Sequence, residues 1–290
     1  MINFLKLKWL YLAISAVVIG AGIISIATFG FRYSIDFAGG TSLEYRVNKT
    51  VSKGELADFL KKEKVEVVEE SVKNDVINLR MKAIDEKREA GLKKDLAKTF
   101  GVRIEVLRSE TVGPVLGRET MYKTITAGIV AMIAILIYMS FAFKGFNFAL
   151  AAIIALLHDF LVVVGTYSIL SHFFHAEVDT LFVTALLTTM SFSVHDTIII
   201  FDKIREYIKT EGRGDVESYA NRALTETLVR SINNSMTIIF MLLALTLMGG
   251  TTIKFFVVAL LAGTITGTYS SPYVASPILV FLEKRSKRRG

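Results

Sequence analysis

The sequence contains no cysteine. Disulfide bonds and thiol chemistry are therefore excluded, and cysteine usage says nothing about compartment. Within residues 31–118 there is no cluster of metal-ligating side chains, no Gly-rich phosphate loop and no nucleophile set beside a base. No A-x-A site closes the first apolar run, which is also longer than the roughly 7–15 residues of a signal-peptide core. An uncleaved span is the reading that follows, although Lys6 and Lys8 precede it. Lys and Arg are scarce in alternate loops: "HFFHAEVD" has neither, and "GGTTIK" has only Lys254.

What is present is apolar. The 290 residues are 52% hydrophobic, with a mean hydropathy of +0.48. Apolar runs of about 20 residues recur, each long enough to cross a bilayer as a helix. Six spans are expected: Trp9–Phe29, Thr124–Phe143, Phe146–Ser171, Thr180–Phe201, Ile232–Met248 and Phe255–Leu282. The chain thus reads as an α-helical polytopic membrane protein. A net charge of +7 would point to nucleic acid in a soluble protein. Here the basic residues gather beside spans, which makes topology the cause and leaves no nucleic-acid partner. Lys6, Lys8, Lys144, Lys203, Arg205, Lys209, Arg213, Arg222, Arg230 and the tail cluster Lys284, Arg285, Lys287, Arg288 and Arg289 fall on one side if six spans alternate. By the positive-inside rule both termini, the loop 203–230 and the basic tail 283–290 are cytoplasmic. That tail is also suited to touching anionic lipid.

Residues 31–118, between span one (1–30 with the N-terminus) and the remaining spans (119–290), are short-period and mixed in charge. "TSLEYRV" places Leu43, Tyr45 and Val47 on one face. Ser52–Glu55 fits a capping box for a helix carrying Leu56, Phe59 and Leu60. "VEVVEESV" and "VINLRMKAI" read as strands around a "KND" turn, with Ile77, Leu79, Met81 and Ala83 alternating. Asp85 caps a helix with Leu92, Leu96 and Phe100, Gly101 ends it, and "VRIEVLR" is the last strand. The order β-α-β-β-α-β is the ferredoxin-like α+β pattern. Such a domain serves either as a polypeptide-docking module or as a spacer. Asn48-Lys49-Thr50 matches a glycosylation triplet of the kind that arises by chance.

Polar residues inside the spans carry the functional expectation. Thr184, Thr188, Ser191 and His195 form one helical stripe in span four, with Ala185, Thr189 and Asp196 beside it. A membrane carboxylate costs about 3 kcal/mol on insertion scales. Arg230, Asn234 and Thr237 share a face of span five, with Arg230 at a depth that allows a pair with Asp196. Span three carries His158-Asp159 near its middle. A proton relay through Asp196, Arg230, His195, His158 and Asp159 is one reading, and static helix-to-helix bonds are the other. Asp202 sits where span four leaves the membrane, close to Lys203 and Arg205. Gly263, Gly267 and Ser271 in span six give small-xxx-small packing, and Pro272 and Pro277 can kink that helix. No cofactor, metal or enzymatic activity is expected.

"DFAGGTSLE", "VGPVLGRE", the "HD" of span three, "SFSVHDTIIIFDKIRE", "RSINNSMTIIFMLLALTLMGG" and "AGTITGTYSSPYVASP" occur in order over nearly the whole chain. In these blocks the chain resembles the SecF family, the smaller subunit of the SecDF accessory complex of the bacterial and archaeal Sec translocon. The resemblance implies the fold of half of an RND-superfamily transporter with an extracytoplasmic ferredoxin-like domain. It implies SecD as heterodimer partner, the SecYEG channel, YajC and a translocating preprotein as further partners, and the inner membrane as location. It also implies that the proton-motive force promotes translocation, with Asp196 matching the family's membrane carboxylate and Arg230 its partner. The family motif often begins Gly-Tyr-Ser and has Asn before the acid. Here Ser191-Phe192-Ser193 and His195 stand there, and His195 serves as a proton-transfer group or as a hydrogen-bonding stand-in for the amide. Competing readings are an RND-type half-transporter for lipid or small molecules, an intramembrane aspartyl protease using Asp159 and Asp196, and a passive scaffold.

Overall fold

The computed structural model describes residues 4–73, 75–143, 145–212 and 214–287. Asn74 of the expected turn, and Lys144, Arg213, Arg288 and Arg289 among the basic residues, lie outside the described residues. In chain order the helices longer than a single turn are α1 (Lys8–Phe29), α2 (Lys53–Lys62), α3 (Glu86–Phe100), α4 (Pro114–Ala142), α5 (Phe146–Phe174), α6 (Thr180–Glu211), α7 (Val216–Met248), α8 (Lys254–Ser270) and α9 (Ser276–Lys287). Six helical stretches among the described residues are long and apolar enough to cross a membrane. The chain is a multi-pass membrane protein. It divides into two compact units, Tyr33–Ile125 and the remainder.

In the first unit the strands are β1 (Gly40–Val47), β2 (Val67–Lys73), β3 (Val76–Met81) and β4 (Ile104–Val112). They lie in the order β2-β3-β1-β4, and every neighbouring pair is antiparallel. This is the ferredoxin-like arrangement, in which each helix crosses over one intervening strand. Period-two alternation builds its core. Leu43, Tyr45 and Val47 point to the same face as Ile77, Leu79 and Met81, and Leu56, Phe59, Leu60, Leu92 and Leu96 cover that face. β3 ends at Met81, so Ala83 is exposed rather than part of the alternation. Asp85 Oδ1 accepts from Arg88 N–H at 2.7 Å, and Gly101 closes α3 at φ 61°, as the cap signals predict. The capping box at Ser52–Glu55 does not form: the Ser52 hydroxyl makes no capping bond. The turn is held by the backbone instead, with Leu56 N–H on the Ser52 carbonyl at 3.0 Å.

The glycines of "DFAGG" and "VGPVLGRE" meet in this unit. Gly39 has φ +74°, and a Cβ there would lie 2.8 Å from Pro114 Cα. A Cβ on Gly117, in the first turn of α4, would lie 2.8 Å from Gly39 N. Backbone therefore packs on backbone, which no larger residue permits.

In the second unit α5, α6 and the α8–α9 helix form the centre, while α1, α4 and α7 leave most of their apolar surface uncovered. Two close crossings set the geometry. A Cβ on Gly22 of α1 would lie 2.9 Å from Gly165 Cα of α5. A Cβ on Gly267 of α8 would lie 2.9 Å from Ser193 Cβ of α6, and Gly263 abuts Thr189. Small residues let these helices touch where lipid offers no hydrophobic drive to association. Between α8 and α9 the chain makes a π-helical turn, Ser271–Ala275, that contains Pro272.

The stretch 203–230 departs from the loop expected of it. It is helical over most of its length, because α6 continues to Glu211 and α7 begins at Val216. The sequence expectation ended these spans where the apolar runs end. The helices continue as charged segments joined by Arg222–Glu211 at 2.8 Å and Lys203–Glu226 at 3.4 Å, with the Tyr207 hydroxyl donating to Glu226. Asp202 pairs with Arg205 at 3.0 Å.

Candidate functional site

The polar stripes of α6 face different surroundings. Thr184, Thr188, Ser191 and His195 are exposed, while Ala185, Thr189 and Asp196 are buried. Asp196 is 2% exposed. Its Oδ2 accepts from Ser231 Oγ of α7 at 2.6 Å. Arg230, the expected partner, is exposed, so the contact comes from the next residue rather than from a salt bridge. Asn233, Asn234 and Thr237 of α7 are exposed as well. Together they make a polar face on two spans. Hydrocarbon supplies no partners for such groups, so protein or water must cover it.

His158 and Asp159 of α5 lie in a separate, denser network. His158 Nδ1 is 2.8 Å from Asp159 Oδ1. Asp159 Oδ2 accepts from Ser270 Oγ of α8 at 2.7 Å and from Ser193 Oγ of α6. His158 Nε2 is 3.2 Å from the Tyr269 hydroxyl, which in turn meets Ser15 Oγ of α1. One residue beyond Ser270, Ser271 Oγ is 2.8 Å from Thr197 Oγ1 of α6. Four helices are thus joined by side-chain hydrogen bonds at the level of the π-turn. Buried polar groups in a low dielectric hold strongly when each is satisfied.

The two aspartates carry different chemistry. Asp159 meets three polar side chains, the His158 ring and the donating hydroxyls of Ser193 and Ser270, which satisfy both of its oxygens. Asp196 has one hydroxyl donor among the described residues, so more of the cost of its burial stands uncompensated. The acids bond to different partners and not to each other, so the shared-proton dyad of an aspartyl protease is not what they build.

The structure brings His158 and Asp159 together, and sets Gly263, Gly267 and Ser271 against α6. It leaves His195 and Arg230 on the open face. Sequence reasoning missed Ser231, Ser193, Ser270, Tyr269 and Ser15. Ser193 and Ser270 sit inside quoted blocks, but their pairing across 34 and 111 residues leaves no local signal.

Comparisons with known proteins agree over most of the chain. The family described as protein export membrane protein SecD/SecF, C-terminal, matches residues 92–285, and the SecD/SecF GG motif matches residues 24–51. The "protein translocase subunit SecF" of Thermobaculum terrenum is 41% identical over 98% of this chain and 95% of its own length. Its counterpart in Anaerolinea thermophila is 38% identical over 98% and 94%. The crystal structure of SecDF from Thermus thermophilus, titled a translocon-associated membrane protein, matches with a TM-score of 0.86 at 31% identity. That match covers 98% of this chain and 39% of the SecDF chain. A SecDF structure in a super-membrane-facing form matches with a TM-score of 0.69 at 30% identity.

Proposed function

The chain belongs to the SecF family and is a subunit of the Sec protein-export machinery, and from that premise we propose that it works with SecD to couple the proton-motive force to preprotein translocation through SecYEG. One observation carries the coupling to a partner. The exposed polar face of Thr184, Thr188, Ser191, His195, Arg230 and Asn234 lies in segments apolar enough to span a membrane. Lipid offers no partners for the charged and amide groups of that face, so protein or a water-filled cavity must meet it. The chain spans 39% of the SecDF chain it resembles, which supports SecD as that protein. Asp196 is the proton-binding residue in this reading. Arg230 and His195, on the open face, complete the relay once SecD is in place. The membrane is the inner membrane, with both termini cytoplasmic and residues 31–118 extracytoplasmic, and YajC is a further partner. Gly39, Gly117 and Pro114 pack the first turn of α4 on the backbone of the ferredoxin-like unit.

The test is translocation of a preprotein in inverted vesicles carrying SecYEG, with SecD alone, this chain alone, or both. Stimulation by a proton gradient is expected only with both. Stimulation that is independent of the gradient would favour a scaffold.

A further inference from the structure

The His158–Asp159 pair has an orientation that a structural tie does not require. With Asp159 taken as the carboxylate, which can only accept, the hydrogen of the 2.8 Å contact is assigned to His158 Nδ1. The Nε2 lone pair is then bare, and Tyr269 donates to it at 3.2 Å. Ser193 and Ser270 clamp the other carboxylate oxygen from two helices, and the imidazole cannot turn without breaking its two bonds, to Asp159 and to Tyr269. A histidine fixed in one tautomer, with its free nitrogen on a hydroxyl, is set to take a proton.

Half-buried tyrosine rings pack beside that nitrogen, and Tyr269 alone touches it with its hydroxyl. Tyr269 stacks with Tyr273 of the π-turn at 6.3 Å between centroids. Tyr273 meets Tyr11 of α1 at 4.5 Å and Phe4 at 6.5 Å. These rings lie along the seam of α1 with the sixth span. Tyr269 is the titratable group facing His158 from α8, whereas α1 and α6 present the hydroxyls of Ser15 and Ser193.

We propose that His158, oriented by Asp159, is a proton-carrying residue that exchanges its proton on the Nε2 side, beside the Tyr269 hydroxyl. The proposal rests on the reading of the chain as part of a proton-driven translocase, and adds to it a site apart from Asp196. Uptake places one proton on Nε2 and leaves the Nδ1–H bond to Asp159 intact. Nε2–H then donates to the Tyr269 oxygen, whose own hydrogen turns to Ser15 Oγ. The pair passes from a charge of −1 to neutral, and release reverses each step. Asp159 stabilises the imidazolium, and the serines hold Asp159 in place.

The experiment is histidine ¹⁵N NMR of the complex with SecD, with only this chain labelled. The chain has four histidines, and loss of one signal in His158→Gln assigns the resonance. The expected result is a Nδ1–H tautomer at high pH that becomes doubly protonated on acidification. In Asp159→Asn the midpoint should fall by about 1–3 pH units, the size of an adjacent opposite charge, and the pH profile of gradient-driven translocation should move with it. A His158 that stays neutral in one tautomer throughout would overturn the proposal, and the wild-type titration decides this even if Asp159→Asn fails to assemble. Failure of the wider reading looks different: gradient-driven translocation would then survive in Asp196→Asn, whatever His158 does.

Discussion

Two buried aspartates in neighbouring spans differ in the company they keep, and that difference decides what each can do. Asp159 is tied by three side chains, and Asp196 by Ser231 alone among the described residues. That Asp196 meets the fifth span, α7, was legible in the sequence, but the residue it meets was not. Arg230, Ser231, Asn233 and Asn234 span most of a helical turn, so spacing alone leaves the rotation of α7 open by about 100°. Single residues also govern the ferredoxin-like unit. Burial, and then the Glu89 carboxylate, raise the Tyr45 phenol above its ordinary value of 10.0. The folded state therefore holds that proton more tightly than the unfolded chain. Its contribution to stability is complete below about pH 10 and lost as pH rises beyond it. Tyr45→Phe should flatten the alkaline fall in melting temperature, and an unchanged fall would assign it to other groups. Gly117→Ala drives a methyl toward the Gly39 backbone. Destabilisation of about 1–3 kcal/mol is expected, measured by denaturant unfolding of the full chain in detergent. A neutral result would mean that the contact relaxes freely.

Helices and strands were read well wherever one periodicity held. The alternation of Leu43, Tyr45 and Val47 against Ile77, Leu79 and Met81 identifies the strands, and Asp85 and Gly101 bound α3. Reading failed where apolar and charged stretches share one helix. α6 and α7 run past their apolar segments because ion pairs and the Tyr207–Glu226 bond support the extension. The π-turn at Ser271–Ala275 was signalled only as prolines that can kink. Its form depends on tertiary contacts, the Thr197 hydroxyl of α6 on Ser271 and the Asp159 carboxylate of α5 on the preceding Ser270. Gly267 permits the α6–α8 approach, so Gly267→Leu should force these helices apart. The expected outcome is a lower thermal unfolding temperature of the purified complex together with reduced recovery. Wild-type stability in that variant would show that the crossing tolerates separation.

For the whole molecule, the uncovered polar face of α6 and α7 is the feature that a single chain leaves unresolved. The absence of native cysteine makes the face easy to probe, since any introduced thiol is unique in this chain. A cysteine at exposed Thr188 should crosslink to a cysteine in a membrane span of SecD, whereas one at exposed Trp9 on α1 should not. Equal crosslinking at both positions would point to random collision rather than an interface. The central claim is that Asp196 binds and releases the proton that drives export. The most direct measurement is preprotein translocation in inverted vesicles containing SecYEG, SecD and either the wild-type chain or Asp196→Asn, with and without a proton gradient. Asn keeps the shape and can still accept from Ser231, but it cannot ionise. The account predicts that the gradient-dependent part of translocation is lost while the complex still assembles. An undiminished response to the gradient in Asp196→Asn would contradict it and make the carboxylate a structural bond between α6 and α7.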